Sequence, residues 1–192
     1  PEIAVATTKA FSTQLAVIYL LTLHMARELG TISLPEYTKL VRALEQLPEN
    51  VEQVLTPENL ERCEYLAGRY YGDNDAFYIG RNLDSAVCLE GSLKLKEIAY
   101  LHSEAYPAGE LKHGPISLIE EGTLVVALAT IEPLFDKTMA NVKEVKARGA
   151  DVLCITLEGY DDRAARIADS TMTVPAIHPV LQPSLSLIPL QL

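Results

Sequence analysis

The sequence predicts an α/β protein: a three-layer α/β/α domain on a parallel sheet, preceded by an N-terminal helical segment. Three observations lead there. The short segments 76–79, 124–129 and 152–155 are apolar throughout, and 171–174 is a last strand candidate. Strands of that kind are buried on both faces, the condition of a parallel sheet. Helical patterns separate them, so strand and helix alternate. The first seventy residues, by contrast, carry only helical periodicity.

The elements follow in order. Phe11, Leu15, Ile18, Met25 and Leu29 recur at helical spacing, widened by Val17, Leu20, Leu21 and Leu23. They predict a packed helix closed by Gly30. Ser33, Pro35 and Glu36 open a second helix, which runs to about Leu47, before Pro48. Thr56, Pro57 and Glu58 open a third, reaching about Tyr70. The turn cluster 71–75 (Tyr-Gly-Asp-Asn-Asp) divides the chain. Residues 1–71 are expected to form a helical connector and 72–192 the α/β domain. Within the latter, strand 76–79 ends at Gly80 and a helix spans 84–101. Strand 124–129, helix 133–147 with Gly149 beyond it, strand 152–155, helix 161–168 and strand 171–174 complete it. No internal repeat or low-complexity tract is visible.

Composition narrows the function. With 192 residues, 48% of them apolar, the chain can build a real core. A formal net charge of −10 argues against nucleic acid, which needs a basic face. It leaves open a phosphorylated metabolite held by a few N–H groups and hydroxyls. Cys63, Cys88 and Cys154 are far apart and form no CxxC pair, as expected of reduced thiols in a cytoplasmic protein. The apolar run 15–23 is too short to span a bilayer and has no cleavage pattern after it, so no membrane association is expected. The chain begins without Met and stops inside an apolar pattern, which reads as a piece of a longer protein.

The block 90–115 carries the chemistry. Its first part is apolar almost all round, which suits an interior helix. Yet Glu90, Lys94 and Glu97 share one stripe of it, because residues three, four and seven apart lie on the same face. Ion pairs on a solvated face would look the same, but Leu89, Leu93, Leu95 and Ile98 leave little arc for water. On a buried face Lys94 would favour ionised Glu97 while burial opposed it, and a carboxylate so balanced suits general-base work. His113 precedes Gly114-Pro115 and so lies on a constrained loop, where functional groups are often carried. His24, His102 and His178 read as structural. No His, Asp or Glu set has metal-ligand spacing, so no metal or cofactor is expected. Gly80-Arg81-Asn82 stands between strand and helix, a place for an anion, but without the Gly-rich or Ser/Thr-rich loop that would make it specific.

Residues 90–97 (EGSLKLKE) and 104–115 (EAYPAGELKHGP) resemble the isomerase half of the glucosamine-6-phosphate synthases, the isomerising glutamine–fructose-6-phosphate aminotransferases. Residues 2–15 resemble the segment joining that family's two sugar isomerase (SIS) domains, and 189–192 are also similar. The resemblance implies the second SIS domain and its leading helices. The family forms glucosamine 6-phosphate from fructose 6-phosphate and ammonia released by a glutaminase domain. By resemblance Glu97 is the base that moves a proton between C1 and C2. Lys94 stabilises the enediol-type charge, and His113 opens the sugar ring from the neighbouring subunit of a homodimer. Val5, Ala6, Thr7, Glu90 and Lys112 fall on substrate-binding or supporting positions, Thr7 where the family usually has Ser. The glutaminase and the first SIS domain, with its phosphate-gripping loop, are not in the sequence, nor is the C-terminal tail. This piece alone is therefore expected to be inactive. A related phosphosugar isomerase or deglycase, or a non-catalytic phosphosugar-binding regulatory module, remains an alternative.

Overall fold

The computed structural model describes residues 7–72 and 75–192. Four helices come first: α1 (Thr8–Glu28), α2 (Leu34–Glu45), α3 (Leu47–Val54) and α4 (Pro57–Arg69). Two start on hydroxyl caps. Ser33 Oγ accepts from the Glu36 amide at 3.4 Å, and Thr56 Oγ1 from the Asn59 amide at 3.2 Å. In both, proline follows in the first turn, where its missing N–H costs nothing. Pro48 acts the same way. Where the sequence reading placed a helix end, it sits in the first turn of α3. Gly30, at φ 64°, closes α1 as expected.

The second part alternates: β1 (Asp75–Gly80), α5 (Leu83–Ala99), β2 (His102–Pro107), β3 (Leu124–Ala129), α6 (Phe135–Lys146), β4 (Asp151–Leu157), α7 (Asp161–Ala165), β5 (Ser170–Val174), α8 (Gln182–Ser186) and α9 (Ile188–Gln191). All strand pairs are parallel, in the order β2-β1-β3-β4-β5. The expected parallel α/β/α architecture is therefore present. One strand was missed. His102–Pro107 alternates polar and small residues, and its burial is uneven because it forms the sheet edge. Two 3₁₀ segments, Ala108–His113 and Pro115–Leu118, carry the chain from β2 to β3.

The core has two layers. On one sheet face Phe77, Ile79, Val125, Ala127, Val152 and Cys154 pack against Val142 and Val145 of α6, with Ala108 and Leu111 pegged in beside them. On the other, Tyr78, Val126, Leu128, Ile155 and Val174 pack against Val87 and Cys88 of α5, Leu185 of α8, and Val54 and Leu66 of the leading helices. Burial of such side chains contributes about 1.5–3 kcal/mol each.

Two expectations of burial fail. On α1, Val17, Ile18, Leu20, Leu21 and Met25 are all more than half exposed, so this face of the helix is not covered within the chain, although Phe11 packs on the core. On α5, Leu89, Leu93 and Ile98 are exposed, although the sequence reads as an interior helix. Periodicity finds an apolar face; it does not say whether the covering surface belongs to the same chain. Helix α5 also begins and ends on unusual backbone. Asn82 has φ 54° and ψ −125°, and Tyr100 has φ 55° and ψ 22°.

Candidate functional site

Helix α5 brings Glu90, Lys94 and Glu97 together as their spacing requires. Lys94 Nζ lies 3.2 Å from Glu90 Oε1 and 3.2 Å from Glu97 Oε2. Exposure grades along the stripe: 11% for the Glu90 side chain, 8% for Lys94 and 33% for Glu97. Lys94 is thus buried while its apolar neighbours Leu93, on the same face, and Leu89 stand 41% and 59% exposed. Burial opposes the charge on Lys94, but the hydrogen bonds from Glu90 and Glu97 outweigh it and hold the ammonium above its ordinary range. An ammonium has three donors, and two are engaged here. Glu97 is the more open of the two carboxylates, its side chain 33% exposed against 11% for Glu90. A base and a cationic donor side by side can move a proton between adjacent carbons and stabilise the oxygen charge that develops.

His113 stands elsewhere. Its side chain is 74% exposed, and its near neighbour is Glu110 Oε2 at 3.8 Å. Glu97 lies near the end of α5, about 20 Å along the helix from its start beside the C-terminal end of β1. His113 follows the opposite, C-terminal end of β2. One chain does not bring these two side chains together. Lys112 bonds Glu144 on α6 at 2.7 Å. Gly114, at φ 146°, makes the bend after His113 that other residues rarely adopt.

Thr7 is the first described residue. It precedes α1 in extended backbone, and its hydroxyl does not cap the helix. Gln191 Nε2 meets the Thr8 carbonyl at 3.5 Å, and Leu190 rests on Gly91 so closely that a Cβ there would lie 2.6 Å from its Cδ1. The start of α1 thereby reaches α5 through α9. Val5 and Ala6 lie outside the described residues.

The Gly80–Arg81–Asn82 turn sits where the strand order reverses between β1 and β3, the usual crevice of such sheets. Its groups are engaged internally. Asp84 accepts from the Thr130 amide at 2.8 Å and from its hydroxyl at 2.5 Å, and Thr130 meets Ser186 at 2.7 Å. Burial pushes the Asp84 carboxyl up against the bonds from Thr130. Arg81 donates to Asn141 Oδ1 through Nε (3.1 Å) and Nη2 (2.8 Å). Asn141, Glu144, Asp84 and Thr130 are groups the sequence reading did not single out. Asn141 stands 60 residues from Arg81, and no local pattern announces the pair. Among the described residues no cluster of three His, Cys, Asp or Glu side chains could hold a metal ion, and no helix is long and apolar enough to cross a membrane.

Residues 70–192 match the sequence model of the SIS domain. The chain belongs to the SIS domain family. Over all 192 residues it is 48% identical to an isomerising glutamine–fructose-6-phosphate aminotransferase of Caldanaerobacter subterraneus and 50% identical to one of Clostridium tetani. It spans 31% of the length of each. Among solved structures it superimposes on the C-terminal domain of the glucosamine-fructose-6-phosphate aminotransferase of Francisella tularensis with a TM-score of 0.92 and 33% identity. That match covers the whole chain and 53% of the other. A glucosamine-6-phosphate deaminase of Thermotoga maritima, at 23% identity and a TM-score of 0.66, shares the SIS fold.

Proposed function

We propose that the chain is the second SIS domain of an isomerising glutamine–fructose-6-phosphate aminotransferase, with residues 1–71 leading in from a first SIS domain. The observation that carries this reading is the buried Lys94, held between two carboxylates on a helix whose neighbouring leucines are bare. A buried ion pair beside an exposed apolar face is costly unless a second surface covers it and a ligand uses it.

Ammonia from the glutaminase domain condenses with the C2 carbonyl of the sugar phosphate, releasing water and leaving an imine; Glu97 then takes a proton from C1 and returns it at C2, giving the 2-amino aldehyde. Lys94 offers its remaining N–H to the oxygen that gains charge. His113 opens the ring of fructose 6-phosphate, and it does so from the partner subunit of a two-fold dimer. The separation of His113 from Glu97 within one chain supports that assignment, as does the bare face of α5. Val5, Ala6, Thr7, Glu90 and Lys112 contribute binding or support. No metal or cofactor enters these steps. The three unpaired thiols suit a cytoplasmic setting.

Subunit complementation tests the reading. Full-length Glu97→Gln and His113→Ala enzymes should each fail to convert the sugar. Co-expressed at equal levels, they should recover about one quarter of the wild-type rate, because half the dimers are mixed and each holds one intact site. Absence of recovery from soluble mixed dimers would show that the two groups do not meet across subunits.

A further inference from the structure

Residues 108–113 carry Lys112 and His113 on a short 3₁₀ segment, a kind of structure with weak intrinsic stability. Something must fix the direction of its polar side. Ala108 and Leu111, both fully buried, peg the other side into the core beside Val142 and Val145. On the polar side Lys112 Nζ meets Glu144 Oε1 at 2.7 Å. Asn141 Nδ2, one helical turn before it on α6, donates to Glu144 Oε2 at 3.1 Å. Asn141, itself 3% exposed, takes both hydrogen bonds from the Arg81 fork. That guanidinium then lies against Gly109, where a Cβ would stand 3.1 Å from Nη2. The chain of contacts is closed: it leaves the 3₁₀ segment at Lys112 and returns to it at Gly109.

We propose that Glu144 is a positioning residue which, braced by Asn141 and Arg81, sets the orientation of the Lys112–His113 segment toward the neighbouring subunit's sugar site. This rests on the reading of His113 as the ring-opening group. The acid is suited to the task. Burial works against its charge, yet the bonds from Lys112 and Asn141 and the nearby Arg81 together hold its carboxyl below the ordinary range, so it stays an acceptor at neutral pH. Glu144 touches no reacting atom in this arrangement. It acts through a lysine one residue from the histidine.

A positioning role in ring opening is separable from a general structural one. The 5-deoxy analogue of fructose 6-phosphate lacks the hydroxyl that closes the furanose ring, so it reaches the proton-transfer step without ring opening. Full-length wild type, Glu144→Gln, Arg81→Lys and His113→Ala are compared on both substrates, with thermal melts to confirm folding. Glu144→Gln and Arg81→Lys should lower kcat on fructose 6-phosphate by about ten- to a hundredfold, the scale of a small misplacement, and change it less than about twofold on the acyclic analogue. His113→Ala should show the same selectivity more strongly. Equal losses on both substrates for Glu144→Gln, or no loss, beside a selective His113→Ala would overturn the inference and leave the role of His113 intact. An unselective His113→Ala would overturn the reading beneath it, and the inference with it.

Discussion

Two charged clusters dominate this molecule, and they are built differently. Glu90, Lys94 and Glu97 need only one helix: the i,i+4 and i,i+3 spacings place them in contact wherever α5 forms. Arg81, Asn141, Glu144 and Lys112 come from three separate segments and meet only when the turn after β1, α6 and the 3₁₀ segment are all in place. The first cluster is therefore free to present its donors outward. The second spends its donors inward, on holding a loop. Reactivity and bracing are divided between them, so substitutions in each should be felt in different measurements.

The largest expected effect is on chemistry. In the full-length enzyme, Glu97→Gln should cut sugar conversion by about 10²–10⁴-fold, the range for a lost general base, and leave glutamine hydrolysis near wild type. If hydrolysis fell equally, the α5 cluster would be a structural element like the other. Next comes stability. Asn141→Ala strands the Arg81 fork and one oxygen of Glu144 in a largely buried place, at about 1–3 kcal/mol. For a chain of this size that lowers Tm by about 2–12 °C. A melt within a degree of wild type would show that the brace contributes nothing to folding and would erase the contrast.

The smallest effect is in the pH dependence, and the two clusters should show it at opposite ends. Glu144 is held below the ordinary carboxylate range, so its contribution is complete above about pH 4.3 and is lost as pH falls through the lowered value. Lys94 is held above the ordinary lysine range, so its contribution is complete below about pH 10.4 and is lost as pH rises through the raised value. Glu144→Gln should flatten the acid limb of a stability profile, and Lys94→Met the alkaline limb. The Glu144 effect should stay below about 1 kcal/mol, because its side chain is partly exposed. Reversal of the two limbs would show that the bonds do not hold these charges in solution.

How much of this was legible in the sequence follows from the same division. The α5 cluster could be read because helical spacing alone brings its members together. Strands β1, β3 and β4 could be read because they are largely apolar along their length, and β5, where Thr171 and Thr173 alternate with buried Met172 and Val174, because it follows the last helix of an alternating series. Strand β2 could not, since an edge strand can carry His102, Glu104 and Tyr106 without burying them fully. The bracing cluster was invisible for a stronger reason. An asparagine and a glutamate on α6 look like any helix surface until the fold sets Arg81 over them. Nor could the sequence separate an apolar face covered from within from one left bare, and α1 and the leucines of α5 are the bare kind. The assignment of His113 came from resemblance, because its partner group is not brought to it by this chain.

The turn at Asn82 sets its own rule for mutational tolerance. At φ 54° and ψ −125° the position demands a conformation that glycine enters freely, that asparagine enters at some cost, and that β-branched residues avoid. Selection at this site should follow backbone shape before side-chain chemistry. A saturation library scored for folding would be enriched first in glycine, while valine, isoleucine and threonine dropped out.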